Sequence, residues 1–288
     1  AVIQKLQAEN RLPLRVYLIA PANILDQLDA SPMDLDDETE KPLGIKVFVD
    51  GSLAARTAAL TEPYVDDQTA TGQLLYSREE LNSLVARVHK ANFRLIMHTM
   101  GDKAISMALD AIEKVLREVP RKDHRYRLEH ASVLNCELIR RIKELGVIVS
   151  VQPKCIISEF AVWSAVERLG SERARLLYPL KTLIKEGIRI IGGSDCPMEP
   201  LNPMQGIQAA VTRQYYPEEQ ITVDEALQMY TTNPAYSSFE DSTKGSIKEG
   251  KLADLTVLSD DPRSVPSKEI GDITVNLTLV GGKIVYQK

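Results

Sequence analysis

Short apolar runs that carry a chemically active side chain recur along this chain, and they constrain its fold more than any other feature. Three runs end in His98, His130 and Asp195, and a fourth contains Lys46. Each run has the length of a strand and is followed by turn residues and a helical pattern. In an α/β barrel the carboxyl ends of the parallel strands meet at one mouth, where active sites are built. We therefore predict that these four side chains meet at one mouth.

Amphipathic helices separate the apolar runs. Ser77 and Glu80 have the spacing of a capping box, and Thr222 and Glu225 repeat it further along. Asp102 is predicted to cap the helix that follows the His98 strand. About six strands alternate with helices, which predicts a parallel α/β fold, namely an incomplete (β/α)8 barrel of the TIM type.

Five further segments complete the organisation of this part of the chain. Residues 1–10 have the pattern of a helix end, and residues 14–19 that of a buried strand. The acidic residues 23–41 are interpreted as a surface connection. Two long segments without clear periodicity, 52–76 and 156–175, are interpreted as insertions, and the first has the length of a functional lid.

The end of the chain has a different pattern. Residues 245–288 contain short alternating runs, and Gly281 and Gly282 separate the last two, which predicts a hairpin. We therefore divide the chain into a partial barrel, 1–244, that carries the candidate site, and a small β appendage, 245–288.

Composition excludes several classes of function. The 288 residues are 44% hydrophobic and 26% charged, with a net charge of −5, so nothing indicates binding to nucleic acid or to an anionic membrane. No apolar run approaches the ~20 residues that span a bilayer. The three cysteines lack motif spacing and favour free thiols in a cytoplasmic protein.

The strand-end histidines are candidate metal ligands. Zinc in catalytic sites typically keeps three nitrogen or oxygen ligands and one open position, and His98, His130 and Asp195 could supply them. A single strand-end histidine is more often a structural residue, but the repeated placement favours a site. We interpret the other two histidines, His89 and His124, as surface residues. Cys196 could line the same mouth.

Lys46 is unusual because a lysine inside an apolar strand is costly unless it is paired or modified. Reaction of the neutral amine with CO2 would give a carbamate, an anionic ligand that can bridge two metals. The alternatives are that the side chain reaches out to solvent or that it pairs with Asp50.

Six segments together resemble a known family. They are IKVFVDGSL from Ile45, MHTMGDKA from Met97, LEHA from Leu128, VQP from Val151, GSDCP from Gly193 and GSIKEGKLADL from Gly245. On these motifs the chain resembles the metal-dependent amidohydrolase superfamily, in the branch that includes N-substituted formamide deformylases. The resemblance implies that 1–244 is a metal-dependent hydrolase domain and that 245–288 contributes strands to a small sandwich.

The resemblance implies a reaction and a role for each motif residue. Metal-activated water would cleave a C–N bond in an amide-type or formamide-type small molecule, with one or two divalent ions, zinc first among them, in the complete enzyme. Lys46 would be the carboxylated metal ligand, His98 and His130 would hold a metal, and Asp195 would be both ligand and general base. Gln152 and Asp50 are candidate substrate contacts.

The chain also departs from the family pattern. It has four histidines and no His-x-His pair, and two barrel strands of the family have no counterpart here. An incomplete sheet leaves edges that invite pairing, so we expect a homo-oligomer or association with an N-terminal segment. Two alternatives stay open: a truncated, non-catalytic remnant, or a barrel hydrolase that acts on phosphoesters or lactones.

Overall fold

A parallel sheet of six strands organises the protein. The computed structural model describes residues 5–6, 8–9, 11–28 and 44–288. The strands are β1 (Ile19–Pro21), β2 (Gly44–Phe48), β3 (Leu95–Thr99), β4 (Arg127–His130), β5 (Ile148–Val151) and β6 (Ile190–Gly192). They pair in chain order and always in parallel. The predicted α/β fold is confirmed, and over the described residues the sheet is open between β1 and β6, as in an incomplete barrel.

Nine α-helices accompany the strands in the described part of the chain. They are α1 (Arg78–Lys90), α2 (Asp102–Glu118), α3 (Cys136–Leu145), α4 (Pro153–Ala161), α5 (Ala165–Arg175), α6 (Leu180–Lys185), α7 (Pro203–Val211), α8 (Val223–Tyr230) and α9 (Thr232–Ser237). Short 3-10 turns occupy Ala22–Gln27, Pro217–Glu219 and Ser267–Asp272. None of the helices so described is both long and apolar enough to cross a bilayer.

Local sequence signals set most helix ends. Both predicted capping boxes form, at Ser77 for α1 and at Thr222 for α8. The Asn135 side chain caps α3, and Gly146 ends it with a φ of 65°, which glycine adopts without a steric penalty. The predicted Asp102 cap is wrong. Gly101 is the N-cap residue, and the Asp102 carboxylate instead accepts a hydrogen bond from the backbone of the 52–76 loop.

The two faces of the sheet differ in chemistry. One face is apolar, and its residues alternate along the strands with the polar residues of the other face. These apolar residues are at most 1% exposed and belong to the core: Val47, Met97, Leu128 and Val149. Burial of each such side chain contributes roughly 1.5–3 kcal/mol relative to exposure. This apolar layer fixes the register of the strands, because a shift of one residue would move it to the opposite face.

Polar residues occupy the opposite face, in two rows set by the strand register. One row runs from Phe48 through His98 and Glu129 to Ser150, each directly beside the next. A second row, one step nearer the strand starts, contains Lys46 and Arg127 on either side of a buried isoleucine. Phe48 is 50% exposed, so the described residues leave this face open at the β2 end of the row, whereas Glu129 and Ser150 are buried.

A separate antiparallel sheet forms the carboxyl-terminal part. It contains β7 (Leu255–Leu258), β8 (Val275–Val280) and β9 (Lys283–Gln287), and β8 and β9 form the predicted hairpin. The strand predicted at residues 14–19 is wrong except for its last residue. Leu14 is 63% exposed, and its segment contacts the end of the chain through an ion pair of Arg15 with Asp254 instead of joining the parallel sheet along its length.

His89 and His124 are buried, so their prediction as surface residues is wrong. They are 1% and 5% exposed and both pack against the Tyr126 ring. His89 Nδ1 contacts the Tyr126 hydroxyl, and His124 Nδ1 accepts a hydrogen bond of 2.9 Å from the Tyr126 backbone N–H. His124 precedes Tyr126 by two residues, and its Nε2 reaches the Leu145 carbonyl oxygen at 2.8 Å. His89 is 37 residues from Tyr126, so only the tertiary fold brings these two together.

The two segments interpreted as insertions differ from each other. Most of 156–175 is helical, in α4 and α5, so this predicted insertion has regular secondary structure of its own. The 52–76 loop has no helix or named strand, in agreement with its prediction. Of the predicted surface connection at 23–41, residues 29–41 lie outside the described residues, as does most of the helix end predicted at 1–10.

Candidate functional site

His98 and His130 lie side by side at the carboxyl ends of adjacent strands. The centroids of their rings are 4.6 Å apart, with the planes at 70°. His98 belongs to β3 and points to the polar face, whereas His130 ends β4 with a φ of 68°, in the left-handed region. Such a backbone is strained for a residue other than glycine and is concentrated at functional sites. The sheet therefore presents two imidazoles at one edge.

Each imidazole has one nitrogen engaged by an oxygen. His98 Nε2 is 2.9 Å from the Gly51 carbonyl oxygen, and His130 Nδ1 is 2.7 Å from Gln152 Oε1. These oxygens can only accept, so the engaged nitrogens carry the protons in the neutral rings. The lone pairs are consequently on His98 Nδ1 and His130 Nε2. Fixing the tautomer through the second nitrogen is how proteins orient metal-binding histidines.

Both rings are neutral at physiological pH. Burial, followed by the charges of His130 and Lys46, lowers the pKa of His98 to about 4. Burial also lowers the pKa of His130, against the opposing effect of the neighbouring Glu129 carboxylate. A neutral imidazole is the form that binds metal, so protons do not compete with a metal ion for these two rings near pH 7.

Lys46 lies in a charged network on the polar face. Burial lowers the pKa of its amine, while the Glu129 and Asp195 carboxylates act in the opposite direction. Its Nζ lies 4.9 Å from the centroid of the Phe48 ring. Glu129 forms an ion pair with Arg127, and the positive charges of Arg127 and Lys46 keep the pKa of the buried Glu129 low despite desolvation. A lysine with a lowered pKa has a larger reactive, neutral fraction.

Asp195 lies beyond the end of β6 and is exposed to solvent. Its backbone φ is 53°, so Asp195, like His130, has a strained left-handed backbone. Partial burial raises the pKa of its carboxyl group, and the charges of Lys46 and His98 lower it. The carboxylate is thus within electrostatic reach of the lysine and the imidazole, although no hydrogen bond joins them. Cys196 beside it is exposed and free.

The two predicted substrate contacts are placed differently. Gln152 is 4% exposed and its Oε1 accepts from His130, which makes it a neighbour of the imidazole pair. Asp50 is 1% exposed, and its two oxygens accept three backbone N–H groups. This arrangement favours a structural role for Asp50 over contact with a substrate. Asp50 does not pair with Lys46 by a hydrogen bond or ion pair.

The donor set suits a divalent transition metal. Two neutral imidazoles with fixed tautomers, one carboxylate and one amine that can become anionic are the ligand types that zinc accepts. Among the described residues, no three His, Cys, Asp or Glu side chains already stand together as a ready metal site. Lys46 would be an additional donor here, and it would supply an anionic oxygen only after carboxylation.

Glu129 is the charged site residue that the sequence reasoning missed. It is 8% exposed, faces Lys46 on the polar side of the sheet, and interacts with both Arg127 and His130. The available signal was the alternation Arg127-Leu128-Glu129, which places two opposite charges on one strand face and leucine on the other. Two charges on one face of a buried strand indicate an internal ion pair.

The parallel α/β sheet and its strand-end imidazoles define a protein with a candidate metal centre at the carboxyl edge of its strands. The chain belongs to the amidohydrolase family, whose model matches residues 1–286. It is 32% identical over 250 residues to the N-substituted formamide deformylase of Arthrobacter pascens, covering 85% of this chain and 45% of the relative.

Solved structures agree with the family assignment. An uncharacterized metal-dependent hydrolase from Pyrococcus horikoshii OT3 is 32% identical, with a TM-score of 0.80, covering 92% of this chain and 54% of that one. Its counterpart from Pyrococcus furiosus is 35% identical, with a TM-score of 0.76, covering 87% and 52%. The chain spans about half the length of the curated relatives that it matches.

Proposed function

We propose that the protein carrying this chain is a metal-dependent hydrolase that cleaves the C–N bond of an amide or formamide-like small molecule. The observation that carries the proposal is the pair of neutral, tautomer-fixed imidazoles of His98 and His130, 4.6 Å apart at the strand ends of an amidohydrolase-family fold. The similarity to a formamide deformylase and to metal-dependent hydrolases supports this reaction class.

The metal would be held by His98, His130 and Asp195, together with the carbamate of Lys46. In forming the carbamate, the neutral amine nitrogen bonds to the carbon of CO2 and releases a proton. Zinc is the first candidate because it favours imidazole and carboxylate-type ligands in catalytic sites. A bound divalent ion would polarise the scissile carbonyl and make water more acidic.

The charge balance on the polar face is compatible with carboxylation of Lys46 when one divalent ion is bound. Two cationic and two anionic groups, namely Lys46, Arg127, Glu129 and Asp195, sum to zero when the lysine is an ammonium ion. Carboxylation changes the lysine from +1 to −1, and the sum becomes −2, which one divalent ion neutralises. The buried Glu129 carboxylate remains paired with Arg127 in either state.

The proton transfer and the substrate contacts are assigned to other residues of this chain. The Asp195 carboxylate accepts a proton from the attacking water and delivers it to the leaving nitrogen, so that the amine departs neutral. Its exposed position leaves it open to the mouth where substrate enters. Gln152 holds the His130 ring and stays a candidate substrate contact, and the 52–76 loop is a candidate wall of the substrate site.

A combined metal and activity measurement tests the proposal. We expect the intact protein to contain zinc or another divalent metal and to hydrolyse N-substituted formamides or simple amides. Asp195→Asn should lower kcat by about 10²–10⁴-fold, the usual contribution of a general base. The control is Asp260→Asn, at an exposed aspartate between β7 and β8, which should retain activity.

Two results would contradict the proposal. One is an intact protein free of zinc, iron and manganese after expression with these metals present, which would support the non-catalytic alternative. The other is amide hydrolysis that persists unchanged in Asp195→Asn. Hydrolysis of lactones or phosphoesters in place of amides would keep the metal site and replace the substrate class.

Association with a further polypeptide surface is also proposed. Phe48 on the polar face is 50% exposed, and Leu14 and Tyr17 near the β1 edge are 63% and 40% exposed. Exposed apolar residues near a strand edge that no described residue pairs favour contact with a second copy or with another segment. Sedimentation of the intact protein as a strict monomer, with Phe48→Ser unchanged in solubility, would count against this proposal.

The state of the three cysteines bears on the cellular compartment of the protein. Cys136, Cys155 and Cys196 are all free thiols. Free thiols persist in reducing compartments, so we propose a cytoplasmic location. Fractionation of the source cells with an antibody against the protein tests it.

A further inference from the structure

Asp50 lies just beyond β2, where three parts of the candidate site converge. The Val49 N–H still donates to the His98 carbonyl oxygen at 3.0 Å, so Asp50 follows the last ladder hydrogen bond between β2 and β3. Its side chain is fully buried. The carboxylate therefore sits between the strand that carries Lys46 and the strand that carries His98.

Three backbone N–H groups donate to this carboxylate. Oδ2 accepts from Ala59 at 2.9 Å and from Gly101 at 2.8 Å, and Oδ1 accepts from Met100 at 2.9 Å. Met100 and Gly101 form the turn directly after the His98 strand, and Ala59 belongs to the 52–76 loop. A buried carboxylate without such donors would be very costly, so the three donors and the carboxylate stabilise one another.

The same carboxylate is close to the imidazole of His98. Oδ1 is 3.8 Å from His98 Nε2, and the carbonyl of the next residue, Gly51, is the acceptor for that nitrogen at 2.9 Å. The Gly51 backbone is held in turn, because its N–H donates to the Thr57 carbonyl oxygen at 3.2 Å. The position of the acceptor for His98 thus depends on how Asp50 anchors the loop and the turn around it.

Close packing leaves this junction little freedom. A Cβ atom at Gly101 would lie 1.9 Å from the Ala59 carbonyl oxygen, which is an impossible contact. The Ala59 carbonyl also accepts from the Lys103 N–H at 3.1 Å, at the start of α2. The loop is consequently docked on the first turn of α2 by its backbone, with Asp50 underneath.

We propose that Asp50 is a positioning residue that holds the Gly51 carbonyl against His98 Nε2 and so presents Nδ1 of this imidazole to a metal. The inference rests on the proposed function for the metal, but the orientation of the imidazole exists without it. Polar groups that orient a ligating histidine typically change metal affinity by about 10–100-fold when they are mutated.

Two variants of the intact protein separate positioning from loop docking. Asp50→Asn replaces one accepting oxygen by an NH2 group that faces backbone donors. Asp102→Ala removes the acceptor for the Thr61 N–H, 2.9 Å away, and loosens the same loop without contacting His98. Zinc affinity is measured by competition with a chromophoric chelator, and the tautomer of His98 by NMR of protein labelled with 15N-histidine.

The expected results differ between the variants. Asp50→Asn should weaken zinc binding by about 10–100-fold and reduce the fraction of His98 protonated on Nε2, whereas Asp102→Ala should change affinity by less than about threefold. Hydrogen exchange at Ala59 should accelerate in both. Unchanged zinc affinity in Asp50→Asn, or an equal loss in Asp102→Ala, would overturn the proposal.

The metal-free measurement keeps this test independent of the proposed function. If the wild-type protein binds no zinc, the proposed function fails, while the tautomer of His98 still reports positioning. If Asp50→Asn does not fold, the same measurements on the wild-type protein test the proposal. In the wild-type protein, His98 should be protonated on Nε2, and the Met100 and Gly101 amides should exchange slowly. Protonation of His98 on Nδ1 would contradict the proposal.

Discussion

Glu159→Gln should remove a pH-dependent loss of stability. Glu159 lies on α4, is 2% exposed, and its Oε2 has no hydrogen-bond partner in the structure. Burial raises the pKa of its carboxyl group from 4.5 to about 7, and the positive charge of Arg168 offsets only part of this rise. Its negative charge also raises the pKa of Tyr64 and Tyr178, which places it near the 52–76 loop and the segment between α5 and α6.

The sign follows from proton binding. Between pH 4.5 and about 7 the folded protein holds a proton on Glu159 that the unfolded chain has released, so stability falls as the pH rises through this window. Each whole pKa step is worth about 1.4 kcal/mol, and the rise therefore corresponds to about 3 kcal/mol. The glutamine has no charge to bury and should escape this loss.

Urea unfolding of both proteins at several pH values measures the effect. The free energy of unfolding of Glu159→Gln minus that of the wild type should increase by about 3 kcal/mol from pH 4.5 to pH 8. Glu167→Gln, at an exposed glutamate on α5, is the matched control and should show no such increase. A difference that changes by less than about 1 kcal/mol over this range would refute the reasoning.

Three further predictions concern the scaffold around the site. Burial lowers the pKa of His89 and His124 below 6.5, so the stability that their neutral rings contribute should be lost as the pH falls below about 6.5. From pH 7.5 to pH 5.5 the wild-type protein should therefore lose stability relative to His89→Gln, and urea unfolding of both proteins at the two pH values checks this. Asn135→Ala removes the cap of α3 and should cost about 1 kcal/mol in thermal unfolding. Gly101→Ala should free the 52–76 loop, because its Cβ cannot fit against the Ala59 carbonyl, and limited proteolysis should cut that loop faster than in the wild type.

Local signals made much of the fold predictable. The capping boxes at Ser77 and Thr222 and the stop at Gly146 depend on residues within one helical turn, and all three form as expected. The parallel sheet was predictable because each strand is a short apolar run before a helix. The alternation of the β4 strand also contained the information that Glu129 faces inward with Arg127.

Features that depend on distant contacts were not predictable. His89 is buried against Tyr126, 37 residues away, and His124 is buried with its Nε2 at the Leu145 carbonyl oxygen, 21 residues away. Asp50 is a candidate substrate contact by sequence, and its three backbone donors, which come from segments up to 51 residues away, are visible only in the fold. The tautomers of His98 and His130 likewise depend on oxygens from other strand ends and loops.

Anomalous diffraction at the zinc edge, from crystals of the intact protein grown with zinc, tests the central claim most directly. We predict a peak bonded to His98 Nδ1 and His130 Nε2 at about 2.0–2.1 Å, with density for a carboxylated Lys46 beside it. A fully occupied zinc elsewhere in the protein, or both imidazoles without a metal under these conditions, would contradict the account.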